Sequence, residues 1–372
     1  MAVKEKVAKE PFLRIAKRAN CSAPKAWIIR LISLFFALVV CGVLIFAITE
    51  LNPVEVYKTM FKGAFGTNRR FWVTARDAMF LLLISVGLAP AFKMRFWNIG
   101  AEGQILIGGV ATAAVMIYFG QTMSTPLLFI VMIIASIAAG AIWGLIPAVF
   151  KAKWGTNETL FTLMLNYVSI QITSYCVARW EHPYGSNSVG IINSTGKQGW
   201  LPELFGLDYG WNVVIVLVLT VAMFIYLNYT KRGYEITVVG ESVNTAKYAG
   251  ISVKKTIIRT MLISGGLCGL SGFLAVSGAS HTISTSTAGG QGFTAIIVAW
   301  LAKFDPLVMI LISFLLAFLD KGAIEIASQF NLNDYASQMI TGIILFFILG
   351  SEFFINYQLI FRKKIRRWLN ND

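Results

Sequence analysis

The chain has 372 residues, 56% of them hydrophobic and only 13% charged, with a mean hydropathy of +0.68. Soluble domains carry about a quarter charged residues, so these totals exclude an ordinary soluble enzyme or scaffold and define an all-α polytopic membrane protein. A net charge of +14 would suggest nucleic acid in a soluble protein, but here it lies outside the apolar runs, where cytoplasmic loops and the lipid bilayer account for it and no nucleic-acid partner is expected.

Residues 1–30 form a basic segment (Lys4, Lys6, Lys9, Arg14, Lys17, Arg18, Lys25, Arg30) ahead of the uncharged run 31–49. That run is long enough to span and no small-residue cleavage pattern closes it, so a first transmembrane helix with a cytoplasmic N-terminus is expected rather than a signal peptide. Residues 52–77 are polar and aromatic. Alternation puts them outside despite Lys58, Lys62, Arg69, Arg70 and Arg76, against the positive-inside tendency, and an amphipathic surface helix would accommodate them. Short apolar runs at 80–92 and 105–118 then flank residues 96–104, Phe-Trp-Asn-Ile-Gly-Ala-Glu-Gly-Gln. Its acid, amides and glycines are costly in hydrocarbon unless they meet protein or water. Further spans are expected at 126–150, where Gly140 and Gly144 permit close helix contact, and at 159–178, whose Asn166, Ser169, Gln171 and Thr173 should face protein or a cavity.

Residues 179–208 read as a long outer loop. Its stretch from Gly190 to Lys197 is one residue too long for a phosphate-binding loop and has Gln198 where Ser or Thr is needed, so that motif is rejected. Asn193-Ser194-Thr195 matches a glycosylation sequon. A span at 210–229 leads to the basic inner loop 231–255, and a small-residue-rich span follows at 260–279. After the Ser/Thr/Gly stretch 280–291, the run 292–302 is too short to span and suggests a half-helix or re-entrant segment. Spans at 307–319 and 336–354 flank an outer loop, 320–335, and the tail Arg362, Lys363, Lys364, Arg366, Arg367 is cytoplasmic. The expected architecture is about ten transmembrane helices, some short or broken, with both termini cytoplasmic. A basic segment (1–30), a membrane domain (31–360) and a basic tail (361–372) divide the chain. The glycine-broken regions near 91–104 and 278–300 suggest two related halves.

Four constellations stand out. Asn98, Glu102 and Gln104 either line a solute path or gate, or form a plain turn in which Glu102 pairs with Lys93 or Arg95. Asn166 either faces the same cavity or joins neighbouring helices. Gln291 and Phe293, beside the hydroxyl-rich 282–287, can offer hydrogen bonds and contact to a polar solute or belong to an outer loop. In 231–255, Ser242 can cap a short helix that Gly250 ends, and such a helix suits docking in a groove of a soluble partner. The four cysteines lack metal or disulfide spacing and the two histidines lie far apart, so no covalent chemistry, metal or cofactor is expected in this chain.

Residues 96–104, 156–167, 233–251 and 290–302 together make the chain resemble the membrane subunit of a bacterial ABC importer in the branched-chain amino acid/simple-sugar permease superfamily, nearest its nucleoside and simple-sugar branch. The resemblance implies a permease, not an enzyme, that imports a small polar solute, foremost a nucleoside and alternatively a simple sugar. It implies as partners a second permease, a cytoplasmic ATPase that uses the ATP, and an extracytoplasmic substrate-binding lipoprotein. The 231–255 segment would be the coupling element, presenting Glu235, Glu241, Ala246, Tyr248, Ala249 and Gly250 to the ATPase, and 96–104 would lie near the cytoplasmic gate, with selectivity further out. Trp97 and Trp300 depart from the pattern and would alter the width of the path. An ion-driven transporter would need intramembrane carboxylates, whereas Glu102, Asp320, Glu325 and Glu352 all fall at expected helix ends.

Overall fold

The computed structural model describes residues 13–18, 22–204, 206–331 and 334–361. Lys4, Lys6, Lys9, Cys21 and the basic tail from Arg362 lie outside the described residues. In chain order the elements are β1 (Leu13–Lys17), α1 (Ala23–Thr49), α2 (Pro53–Phe65), α3 (Asn68–Lys93), α4 (Ala101–Phe119), α5 (Thr125–Trp154), α6 (Glu158–Trp180), α7 (Gly210–Tyr229), α8 (Lys231–Glu241), α9 (Val243–Tyr248), α10 (Val253–Ala275), α11 (Gln291–Leu301), α12 (Pro306–Gln329), α13 (Asp334–Asn356) and β2 (Tyr357–Phe361). Among the described residues nine helices, α1, α3 to α7, α10, α12 and α13, are long and apolar enough to cross a membrane; α11 is the short apolar one. The expected polytopic all-α fold is therefore observed.

The chain divides into two compact units. One comprises Met1–Met60 and Ala323–Asp372. Here α1 packs along α13, the Cys41 thiol donates to the Ile340 carbonyl at 3.8 Å, and Arg30 pairs with Glu352 at 2.6 Å. The Tyr57 hydroxyl donates to the Leu38 carbonyl. Leu31, Phe35, Val39, Val43 and Phe46 on α1 are exposed, as befits a helix that is apolar all round and meets lipid. β1 and β2 pair antiparallel, with Leu13 opposite Phe361 and Lys17 opposite Tyr357.

The other unit, Phe61–Gly322, is built around α10, which packs against α3, α4 and α5. Its small residues allow helix backbones to touch. A Cβ on Gly269 would overlap the Ser136 carbonyl, one on Gly265 the Gly140 carbonyl, and one on Gly272 the Ile105 carbonyl. After Ala275 the helix continues through a single π turn, Val276–Ser280.

Three sequence boundaries need correction. The second span is 26 residues long rather than 80–92, because helix begins at Asn68, where the Thr67 hydroxyl accepts from the Arg70 N–H at 3.2 Å. Arg76 and Asp77, read as loop, are helical and bonded to each other at 2.7 Å. The third span likewise starts at Ala101, within the polar stretch. Finally, α12 continues through Asp320 and Lys321, which were read as outer loop.

The loop between α6 and α7 folds onto the π turn. The Ile192 N–H donates to the His281 carbonyl at 2.9 Å, the Leu201 N–H to the Ser277 carbonyl at 3.0 Å, and the His281 ring stacks on Trp200 with centroids 3.8 Å apart. The Asn193 side-chain amide donates to the Met116 and Gln198 carbonyls, so the sequon nitrogen is occupied by structural bonds. Burial pushes the His281 pKa below its ordinary value; the nearby Lys197 charge acts the same way, and a backbone hydrogen bond at Ser277 opposes both. A base whose folded pKa is depressed binds fewer protons folded than unfolded, so its contribution is intact above the ordinary histidine pKa near 6.5 and falls as pH drops from there toward the folded value. Protection of the amides across 192–201, after correction for the intrinsic pH dependence of exchange, is therefore expected to be lower at pH 5.5 than at 7.5, and His281→Phe should flatten that difference.

Candidate functional site

The turn from α3 into α4 is held by side chains of α4, α6 and α10. Asn98 is central: its amide nitrogen donates to Gln104 Oε1 at 3.3 Å and to Ser264 Oγ at 3.2 Å, while its Oδ1 accepts from the Gly100 N–H at 3.0 Å. From α6, Asn166 Oδ1 accepts from the Gly103 N–H at 2.9 Å and its Nδ2 donates to the Ile99 carbonyl at 2.9 Å. The Thr162 hydroxyl accepts from the Ile99 N–H at 3.2 Å. Asn98, Gln104 and Asn166 are 0, 1 and 3% exposed. Each is thus satisfied by protein groups, as buried polar groups must be, and together they fix the backbone at the start of α4.

That fixed turn aims Glu102 at α11. Its Oε1 accepts from the Gly290 N–H at 2.7 Å and its Oε2 from the Gly292 N–H at 2.9 Å. Glu102 also lies in the first turn of α4. One carboxylate therefore meets the positive ends of two helices, and its two oxygens satisfy backbone donors that α11 leaves open. Glycine is needed at 292, since a Cβ there would lie 2.6 Å from the Glu102 nitrogen and 2.7 Å from Oε2. Gly290 adopts φ +76, a left-handed conformation that favours glycine. The two polar segments noted in the sequence thus meet in space, and Glu102 bonds to α11 rather than to Lys93 or Arg95.

At the other end of α11, Trp300 stacks on Trp97 with centroids 5.4 Å apart, and Phe92 lies parallel to Phe304 at 6.3 Å. The two tryptophans that depart from the family pattern are in contact with each other. Phe293 and Trp300, seven residues apart and both exposed, share a face of α11.

On the opposite side of the Glu102 bonds is a cavity of about 390 Å³ bordered by α3, α7, α10, the 280–291 segment and α12. Gln291 lines it, together with Ser284 and Thr287. In its wall Asp77 holds Arg76 through Oδ1 at 2.7 Å and Lys321 through Oδ2 at 2.6 Å. Sequence reading missed this group. The signal was an Arg-Asp pair and an Asp-Lys pair at the margins of two apolar runs, where an isolated charge would be expensive.

The 231–255 segment is two helices, α8 and α9. Ser242 caps α9 by accepting from the Thr245 N–H at 3.2 Å, and Gly250 follows it at φ +75, both as expected. The named residues divide. Glu241, Tyr248, Ala249 and Gly250 are exposed, Tyr248 at 94%, whereas Ala246 is fully buried and Glu235 pairs with Arg259 of α10 at 2.8 Å. A Cβ on Gly240 would overlap the Lys93 carbonyl, so α8 rests directly on the end of α3, just before 96–104.

Nine long apolar helices among the described residues, with the short apolar α11 held among them, are an architecture suited to transport across a membrane. A family model described as branched-chain amino acid transport system / permease component matches residues 73–349. The chain belongs to that family; it is a permease component, a multi-pass protein of the cytoplasmic membrane. It is 28% identical over 316 residues to the guanosine ABC transporter permease protein NupP of Bacillus subtilis, covering 83% of this chain and 89% of that one. It is 27% identical over 359 residues to the glucose ABC transporter permease protein TsgB13 of Haloferax volcanii, covering 93% of each. It is also 27% identical over 332 residues to the nucleoside ABC transporter permease protein NupB of Lactococcus lactis, covering 86% and 90%. No solved structure matches the chain.

Proposed function

We propose that this chain is the permease of an ATP-driven importer of nucleosides. The observation that carries the reading is the likeness, over most of both chains, to permeases named for guanosine and for nucleosides. The likeness to a glucose permease keeps a simple sugar as the second reading. ATP is used by a separate ATPase, and an extracytoplasmic lipoprotein delivers the solute. The chain has one exposed coupling surface, α9 with Tyr248 and Ala249, so a pair of ATPase subunits calls for a second permease beside it. The face of α11 carrying Phe293 and Trp300 lines the path, with the Trp97–Trp300 stack as the inner gate.

Transmission runs from α9 and α8 through the Gly240–Lys93 contact into 96–104, and through Glu102 to α11. ATP can bias such an element only through interactions that differ between its two arrangements. Asn98, Gln104 and Asn166 serve this by keeping the turn rigid. Tyr248→Glu or Ala249→Glu is expected to weaken ATPase binding at least tenfold in detergent pull-down while leaving membrane insertion unchanged. Ala246→Glu should instead lower the amount of folded permease, because that side chain points inward. Equal pull-down by Tyr248→Glu and wild type would refute the coupling assignment. The substrate is tested by reconstituting the chain with its partners and measuring ATP-dependent uptake of labelled nucleosides against labelled hexoses; hexose uptake alone would replace the first reading by the second.

A further inference from the structure

The cavity outside the Glu102 bonds has an uneven chemistry. Two cations and one anion in its wall, Arg76, Lys321 and Asp77, are joined to one another, and the Arg76 guanidinium also lies 4.8 Å from the Tyr209 ring centroid. Both positive groups thus share the Asp77 carboxylate, which offsets part of their charge. The fourth charge, Asp320, borders the same cavity, is exposed, and has no salt-bridge partner within 4.0 Å among the described residues. It brings the formal charge of the four to zero and is the one that remains open to a ligand.

A carboxylate accepts hydrogen bonds and donates none, and its two oxygens offer about four acceptor sites. It thus suits a partner with two adjacent hydroxyl donors, and the bonds are charge-assisted. An acidic side chain on ribose hydroxyls is the solution dinucleotide-binding folds also use. The same cavity is lined by Ser284 and Thr287, whose hydroxyls lie 3.3 Å apart, and by the Gln291 amide, groups that can meet the remaining polar edge of a solute. A volume of about 390 Å³ lies in the range of small-molecule sites, about 300–1,000 Å³.

Building on the reading of the chain as a permease for hydroxylated solutes, we propose that this cavity is a binding station for an uncharged solute bearing a vicinal diol, with Asp320 as the group that accepts the diol hydroxyls and sets specificity. The same site disfavours phosphorylated forms, because the free charge is negative and both cations share the Asp77 carboxylate. A diol is common to ribonucleosides and simple sugars, so the site accounts for both chemistries among the relatives.

The test is uptake by the complete reconstituted transporter of a ribonucleoside and of its 2′,3′-dideoxy analogue, expressed as a ratio so that the amount of folded protein cancels. Wild type should favour the ribonucleoside at least tenfold. Asp320→Ala and Asp320→Asn should bring the ratio to within about twofold of unity. If wild type imports ribonucleosides but either variant keeps the wild-type ratio, including by losing both solutes equally, the assignment of Asp320 is overturned while the permease reading stands. If wild type imports no nucleoside, the nucleoside reading falls instead; the glucose/2-deoxyglucose uptake ratio, compared in the same proteins, then decides the role of Asp320 by the same criterion.

Discussion

Glu102→Gln is expected to reduce ATP-dependent uptake at least a hundredfold with little change in the amount of permease in the membrane. The substitution keeps the size of the side chain but removes its charge, and it places an amide N–H₂ against one of two backbone donors, Gly290 N–H and Gly292 N–H. Hydrogen bonds to a charged group contribute about 1.5–3 kcal/mol each, and the charge also faces the N-termini of α4 and α11. The start of α11 would thus lose its one side-chain anchor to α4. The global fold should survive, because α4 remains packed on α5 and α10 away from this point. Uptake by vesicles, normalised to permease detected in them, measures the effect. A parallel fall in protein level would show that the bonds stabilise the chain and do not serve transport. Gly292→Ala should reproduce the loss, since its methyl group would enter the space that Glu102 occupies.

Gly269→Val should prevent accumulation of folded permease altogether. Position 269 lies where α10 meets α5 and α4: a Cβ there would overlap the Ser136 carbonyl and approach the Gly140 Cα to 2.9 Å, and Gly108 abuts the Gly269 backbone from the other side. Overpacking of a well-packed core costs about 1–3 kcal/mol when neighbouring side chains can shift. Here the obstruction is the backbone of α5, so the two helices must separate, and the bond between Asn98 and Ser264 nearby would open with them. Thermal unfolding of the detergent-solubilised protein, or its yield when it is too unstable to purify, reports the outcome. Gly266→Val, on the same helix, would meet Ile137 Cγ2 at 3.2 Å, a side-chain methyl rather than backbone and at a longer distance, and should be milder.

Much of the fold can be read from the residues. Long apolar runs locate the spans because a helix is the simplest way to satisfy backbone groups in lipid, and the short run at 292–302 correctly marks α11. The cap at Ser242 and the stop at Gly250 are local chemistry, and both are found where the sequence puts them. Errors arise where charge was taken as a sign of loop. Arg76, Asp77, Asp320 and Lys321 are all helical; Asp77 meets Lys321 across the fold, and such pairing is invisible along the chain. The same reason hides the meeting of Glu102 with Gly290 and Gly292 and of Trp97 with Trp300, pairs separated by about two hundred positions. The inward face of Ala246 escapes for a different reason: six residues make fewer than two helical turns, too few for periodicity to assign a face.

The β1–β2 ribbon imposes a rule of parity on the chain. Because Leu13 to Lys17 pair directly with Phe361 to Tyr357, the two ends emerge on one side of the membrane. A chain that starts and finishes on one side must cross an even number of times, yet the nine long apolar helices among the described residues make an odd count. With α2 only 13 residues long and carrying Lys58 and Lys62, the apolar segment left to make up the number is the short α11, which follows residues 281–290. That segment is reached through turns rich in hydroxyls and glycines, and it is fastened at its start by a single carboxylate, Glu102.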